Sequence, residues 1–214
     1  NLIGTFYPPS AIFIYPQFLV TLSELDYYSG LGEIVKLHIM AGPQKIEEIK
    51  NKLPLLKQRD PSTLRGVIEE CLEIKKGYIE EDEFDTDRRN LLNYGHCFGH
   101  AIETISNFAI PHGQAVVIGM ILANAVACRR GVLRRETNDY IYEALLKQSL
   151  LIDGETMRFN ADLLIAAMKK DKKRTGEHMA LIMTDETFNF IRVSDLTEQE
   201  VENALSELYR TTRR

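Results

Sequence analysis

The chain has 214 residues, a formal net charge of −5 and a pI near 5.6, with 44% hydrophobic and 27% charged residues. That size can bury a real core, as one large or two small domains, and the composition is ordinary for a globular protein. The acidic balance excludes general attraction to nucleic acid or to an anionic membrane surface, so any anion site must be built locally.

Cys71, Cys97 and Cys128 stand at wide spacings without a CxxC pair, which reads as reduced thiols in a cytoplasmic protein. The first residues lack the basic and apolar regions of a signal peptide, and no run reaches the roughly 18 apolar residues of a membrane span. The sequence opens on Asn1 rather than Met, which suggests a fragment or processed product.

In chain order, Ala11-Ile12-Phe13-Ile14-Tyr15 lies between proline-marked boundaries and reads as a short buried edge strand. From Gln17 the pattern turns helical, with Thr21 or Ser23 as the cap and Gly30-Leu31-Gly32 as an interruption that lets the backbone approach a neighbour. Glu33 and Lys36 share the next helix face. Gln44 to Arg59 is a charged amphipathic segment closed by Asp60-Pro61, and Ser62 caps a helix that runs through Lys75 or beyond. The acidic run from Glu80 to Asp85 reads as a solvated loop or a helix N-terminal bias.

The stretch from Arg88 to Met120 holds His96, His100 and His112. His96 and His100 stand four apart, one turn above each other on a helix face, a geometry that suits a divalent metal. By itself that spacing also fits two structural histidines. Pro111 and Gly113 flank His112, so a second helix can bring a further ligand to the same ion. Beyond it, Ala115–Arg129, Glu136–Leu150 and Ala161–Lys169 read as helices. Met179–Met183 and Thr187–Val193 form a hairpin around Thr184-Asp185-Glu186, and Thr197 with Glu200 caps a last helix to Leu208. The expectation is a mainly α protein with a short N-terminal strand and a small β-hairpin near the C-terminus.

Four blocks then belong together: G-T-F-Y-P-P near the start, S-G-L-G-E-I-V-K at 29–36, R-x-x-L-N-Y-G-H-C-F-G-H-A-I-E at 89–103 and H-G-Q-A-V-V-I-G-M at 112–120. Their order and spacing resemble the dehydroquinate synthase family of sugar phosphate cyclases, over almost the whole chain. The resemblance implies that residues 1–214 form the family's multi-helical, metal- and substrate-binding C-terminal domain, with the N-terminal NAD-binding domain absent. Consistently, no glycine-rich GxGxxG loop occurs.

The resemblance further implies that Glu33, His96 and His112 ligate Zn²⁺ or Co²⁺. It places His100 beside the substrate as an acid/base or hydrogen-bonding group, and gives Lys36 and Lys75 catalytic positions. Arg89, Asn93 and one of Lys172 or Lys173 become contacts to a phosphorylated sugar acid or sugar phosphate. The implied reaction is oxidation of a ring hydroxyl by NAD⁺, phosphate elimination, return of the hydride, and ring opening with aldol closure, in a homodimer when full length. Gly32, Cys97 and Gln114 depart from the alanine, threonine and glutamate usual at their positions. Dehydroquinate, 2-deoxy-scyllo-inosose and valiolone-type products stay open, as do a related metal-dependent polyol dehydrogenase and a non-catalytic fragment or pseudoenzyme.

Overall fold

The run A-V-V-I-G-M-I-L-A-N-A-V-A at 115–127 is apolar at nearly every helical position, so a helix made of it must be covered all round. In the computed structural model, which describes residue 7 and residues 9–82, 88–175 and 179–211, that helix is the central element, α5 (His112–Arg129). The side chains of 171–175 lie outside the described residues. Every residue of α5 from Gly113 to Ala127 is buried.

The other helices form a shell around this rod. They are α1 (Glu24–Met40), α2 (Pro43–Lys57), α3 (Pro61–Glu81), α4 (His96–Ile105), α6 (Arg135–Ile141), α7 (Lys147–Ser149), α8 (Ala161–Thr175) and α9 (Glu198–Thr211). A π-helical stretch, Tyr142–Leu146, joins α6 to α7. Helices α1, α4 and α9 pack directly on α5, and α8 covers α4. Among the described residues, the sheet is one antiparallel hairpin, β1 (Leu181–Thr184) with β2 (Phe190–Val193), in the register Leu181 opposite Val193. Strand β1 is buried along its whole length and packs on α5. No helix among the described residues is long and apolar enough to cross a membrane.

The helix caps follow local chemistry. Ser23 Oγ accepts from Asp26 N at 3.1 Å, and Thr197 with Glu200 forms a reciprocal box at the start of α9. Asp60, not Ser62, caps α3, accepting from Thr63 N at 2.8 Å with Pro61 in the first turn. The hairpin turn is wider than expected: Asp185 accepts from Thr187 N and Asn189 N, so β2 starts only at Phe190.

Two further expectations are corrected. The N-terminal strand does not form: residues 11–15 carry no strand, and Phe13 is 94% exposed. A strand needs a neighbour for its backbone groups, and the described hairpin lies elsewhere in the fold. The Gly30-Leu31-Gly32 segment does not interrupt α1, which runs through it. Its looseness is used for packing, since a Cβ on Gly32 would stand 2.4 Å from Gly113 O. The two helices cross there at backbone distance.

Candidate metal centre

Three helices converge on one point because small residues let them. A Cβ on Gly113 would meet Ser29 O of α1 at 1.8 Å, and one on Gly119 would meet Gly95 O, at the entrance to α4, at 1.9 Å. These contacts fix the first turn of α5 against α1 and the start of α4 against α5. Gln114 adds a polar lock: its amide donates to Tyr28 O and Ser149 O, and its oxygen accepts from Leu151 N at 2.8 Å. A glutamate could accept there but could not donate to two carbonyls, so the departure at Gln114 has a physical reason in this chain.

The consequence is a cluster of Glu33 from α1, His96 from the first position of α4 and His112 from the first position of α5. One ligating atom of each lies within 4.8 Å of the others. His96 Nε2 and His112 Nε2 are 3.9 and 3.6 Å from Glu33 Oε1. That oxygen is buried and has no hydrogen-bond partner in the protein. Its other oxygen pairs with Lys36 Nζ at 2.9 Å. A buried, unsatisfied carboxylate oxygen facing two imidazole nitrogens is the arrangement that a divalent cation relieves.

Each imidazole is oriented from behind. His96 Nδ1 donates to Tyr94 O at 3.1 Å, and Tyr94 is itself fixed, its hydroxyl donating to Asn124 Oδ1 at 2.6 Å inside the core. His112 Nδ1 lies 3.2 Å from Glu103 Oε2. With both Nδ1 atoms engaged, the Nε2 atoms of both rings face Glu33.

Electrostatics support the same picture. Burial pushes His96 down to about 3, with the Lys36 charge acting in the same direction, so the ring is held neutral, the form that ligates. Burial alone would raise Glu33, but Lys36, with His96 and His112, brings its carboxyl below the usual value. Lys36 is lowered by burial, against the upward pull of Glu33, and Lys75 on α3 pushes it down further. Lys36 is buried and Lys75 is exposed.

His100 sits one turn along α4 from His96, with ring centroids 5.3 Å apart. It does not join the first cluster; it forms a second possible one with Glu103 and His112. His100 also lines an open pocket of about 380 Å³ with Cys97, Glu103, Thr104, Phe108, Met168 and Lys170. Arg89 and Asn93 lie on the 3-10 turn Arg88–Asn93 that leads into His96, and Arg89 N is anchored to Asp82 Oδ2 at 3.0 Å. Helix α8 carries Lys172 and Lys173, whose side chains lie outside the described residues.

Glu103 was not among the residues that the sequence singled out. The signal was present, because His96, His100 and Glu103 fall at i, i+4 and i+7 and therefore share a helix face. Tyr94 left no comparable trace, since its part is played by a backbone carbonyl.

The sequence profile described as 3-dehydroquinate synthase C-terminal matches residues 30–174. The chain belongs to this family. Among curated relatives, the 3-dehydroquinate synthase of Geobacter metallireducens is 34% identical over 201 residues, covering 92% of this chain and 55% of that protein. The 3-dehydroquinate synthase of Dictyoglomus turgidum is 34% identical over 208 residues, 97% of this chain and 58% of that one. The chain therefore spans somewhat more than half the length of these relatives.

Solved structures of the same fold include ValA, the 2-epi-5-epi-valiolone synthase of Streptomyces hygroscopicus subsp. jinggangensis 5008, with NAD⁺ and Zn²⁺ bound. It aligns with a TM-score of 0.84 at 24% identity, covering 99% of this chain and 59% of that one. A 2-deoxy-scyllo-inosose synthase complexed with carbaglucose-6-phosphate, NAD⁺ and Co²⁺ aligns with a TM-score of 0.83 at 23% identity, covering 97% and 59%. At these identities the likeness establishes the helical fold of the C-terminal family.

Proposed function

We propose that this chain is the metal- and substrate-binding domain of a 3-dehydroquinate synthase-like sugar phosphate cyclase that works with NAD⁺ and a divalent ion. The observation that carries the reading is the buried, unpartnered Glu33 Oε1 facing His96 Nε2 and His112 Nε2. A carboxylate with two imidazoles suits Zn²⁺ or Co²⁺ and leaves coordination positions open. An ion held there supplies Lewis-acid polarisation, lowering the pKa of a substrate hydroxyl.

The chain's own residues supply the rest. Lys36 keeps Glu33 ionised and, with Lys75, concentrates positive charge in a protein that is acidic overall, as a phosphorylated acidic substrate requires. Arg89 and Asn93, carried on the turn entering α4, and one of Lys172 or Lys173 on α8 are assigned to substrate oxygens. His100, exposed in the open pocket, is assigned to proton transfer or hydrogen bonding at the substrate. NAD⁺ is assigned no residue, since the sequence contains no glycine-rich dinucleotide loop.

The likeness to 3-dehydroquinate synthases makes 3-deoxy-arabino-heptulosonate 7-phosphate the first substrate to try, with glucose 6-phosphate and sedoheptulose 7-phosphate as comparisons. The test is an assay of the chain together with a nucleotide-binding domain of the family and NAD⁺. Phosphate release without net NADH is expected. Stoichiometric NADH would instead identify a polyol dehydrogenase.

A further inference from the structure

His96 and His112 are held by different means, and the difference gives Glu103 a role. His96 is half-buried and donates to a main-chain carbonyl, which no side-chain substitution removes. His112 has a side chain 43% exposed, at the first position of its helix, and its Nδ1 contact is the carboxylate of Glu103 at 3.2 Å. An exposed imidazole otherwise turns freely about its side-chain bonds and favours the proton on Nε2, the nitrogen that here must be bare.

We propose that Glu103 is a positioning residue that fixes the tautomer and orientation of His112, so that Nε2 is presented to the ion shared with Glu33 and His96. An ionised carboxylate only accepts hydrogen bonds, so the pairing requires the proton on Nδ1. The bare Nε2 then lies 3.6 Å from Glu33 Oε1. The carboxylate also makes the imidazole a better electron donor, as in carboxylate–histidine–metal relays. Glu103 is itself fixed in the second turn of α4, on the face that carries His96 and His100, and its side chain is only 15% exposed. The competing use of these atoms is a separate ion at the pocket rim, held by His100, Glu103 and His112.

This inference rests on the reading of Glu33, His96 and His112 as an ion site, and the experiment separates the two. Cobalt(II) is titrated into the wild-type chain and into Glu103→Gln, Glu103→Ala and His100→Ala variants, with a competing chelator and visible absorption as readout. Nitrogen NMR of His112 in the metal-free proteins reports the tautomer. Glu103→Ala is expected to weaken binding about 10–100-fold at unchanged stoichiometry. Glu103→Gln, which can still accept from Nδ1–H, should lose less, and His100→Ala should bind as the wild type does. The metal-free wild type should show His112 protonated on Nδ1, and Glu103→Ala should move that proton to Nε2. Unchanged affinity in Glu103→Ala, or equal losses in Glu103→Ala and His100→Ala, would overturn the proposal. A wild-type chain that takes up no ion would defeat the reading of the site, while the tautomer measurement would still decide the role of Glu103.

Discussion

Helix α1 carries two clusters of similar composition, and they differ in one respect. Around Glu33, a lysine and two histidines surround a carboxylate whose Oε1 is buried without a partner. One turn on, the fully buried His38 meets Glu70 and Lys52 from the neighbouring helices, and there each polar group is paired. His38 Nδ1 donates to Ile34 O at 2.7 Å, its Nε2 lies 3.3 Å from Glu70 Oε2, and Lys52 Nζ reaches Glu70 Oε1 at 2.6 Å. The closed cluster joins α1, α2 and α3, and both oxygens of its carboxylate have side-chain partners. A lysine, a glutamate and a histidine make a site only where their geometry leaves an acceptor unsatisfied.

The largest expected effect is on metal uptake. His96→Ala or His112→Ala should abolish stoichiometric Zn²⁺ binding by calorimetry, well beyond the about 10–100-fold cost of losing a partner of a ligand. His38→Ala should leave it intact. Equal losses at all three positions would erase the distinction between the clusters.

Next comes the scaffold of the open cluster. Gly113→Ala drives a methyl into Ser29 O and separates α5 from α1 beside His112. Such overpacking costs about 1–3 kcal/mol, and for a chain of this size each kcal/mol lowers the melting temperature by about 2–4 °C. Thermal melting should show that loss together with weaker metal binding.

In the closed cluster, Glu70→Ala strands His38 Nε2 inside the core and should cost about 1–3 kcal/mol. Metal affinity should be unmoved. Replacing His38 and Glu70 together with leucine should recover much of that cost, because neither partner is then left unpaired.

The smallest effect is chemical. Cys71 Sγ lies 4.0 Å from His38 Nδ1, which resembles an activated thiol, but that nitrogen is already committed to Ile34 O. Burial, followed by the charges of Glu70 and Glu33, pushes Cys71 up from 9.0 to about 12. Its thiolate fraction at pH 8 is then about a thousandfold below that of an ordinary thiol, and alkylation of the native protein should stay negligible until the pH nears that value.

Much of this was legible in the sequence, for local reasons. Periodicity and caps marked the helices, and the paired Glu33 and Lys36 fell at helical spacing. The order of four short blocks pointed to the family. What the sequence hid depended on partners distant along the chain. Residues 11–15 have the β-branched and aromatic character of a strand, but a strand exists only beside another one. Gly32 looked like a helix break until Gly113 was found against it. Gln114 looked like a departure at the site, and three backbone partners from two regions make it a lock instead. Spacing alone made His100 a ligand candidate beside His96, while the family resemblance named Glu33 and His112, and it is these two that lie with His96 in one candidate cluster.

The most direct measurement is Zn K-edge X-ray absorption on the chain loaded with one equivalent of Zn²⁺. Two imidazole nitrogens at about 2.0–2.1 Å and a carboxylate oxygen at about 2.0–2.2 Å are expected, and His96→Ala or His112→Ala, each of which gives up the ion, should lose that spectrum. Three imidazoles around the ion, or a spectrum that His96→Ala and His112→Ala leave unchanged, would contradict a centre built from Glu33, His96 and His112.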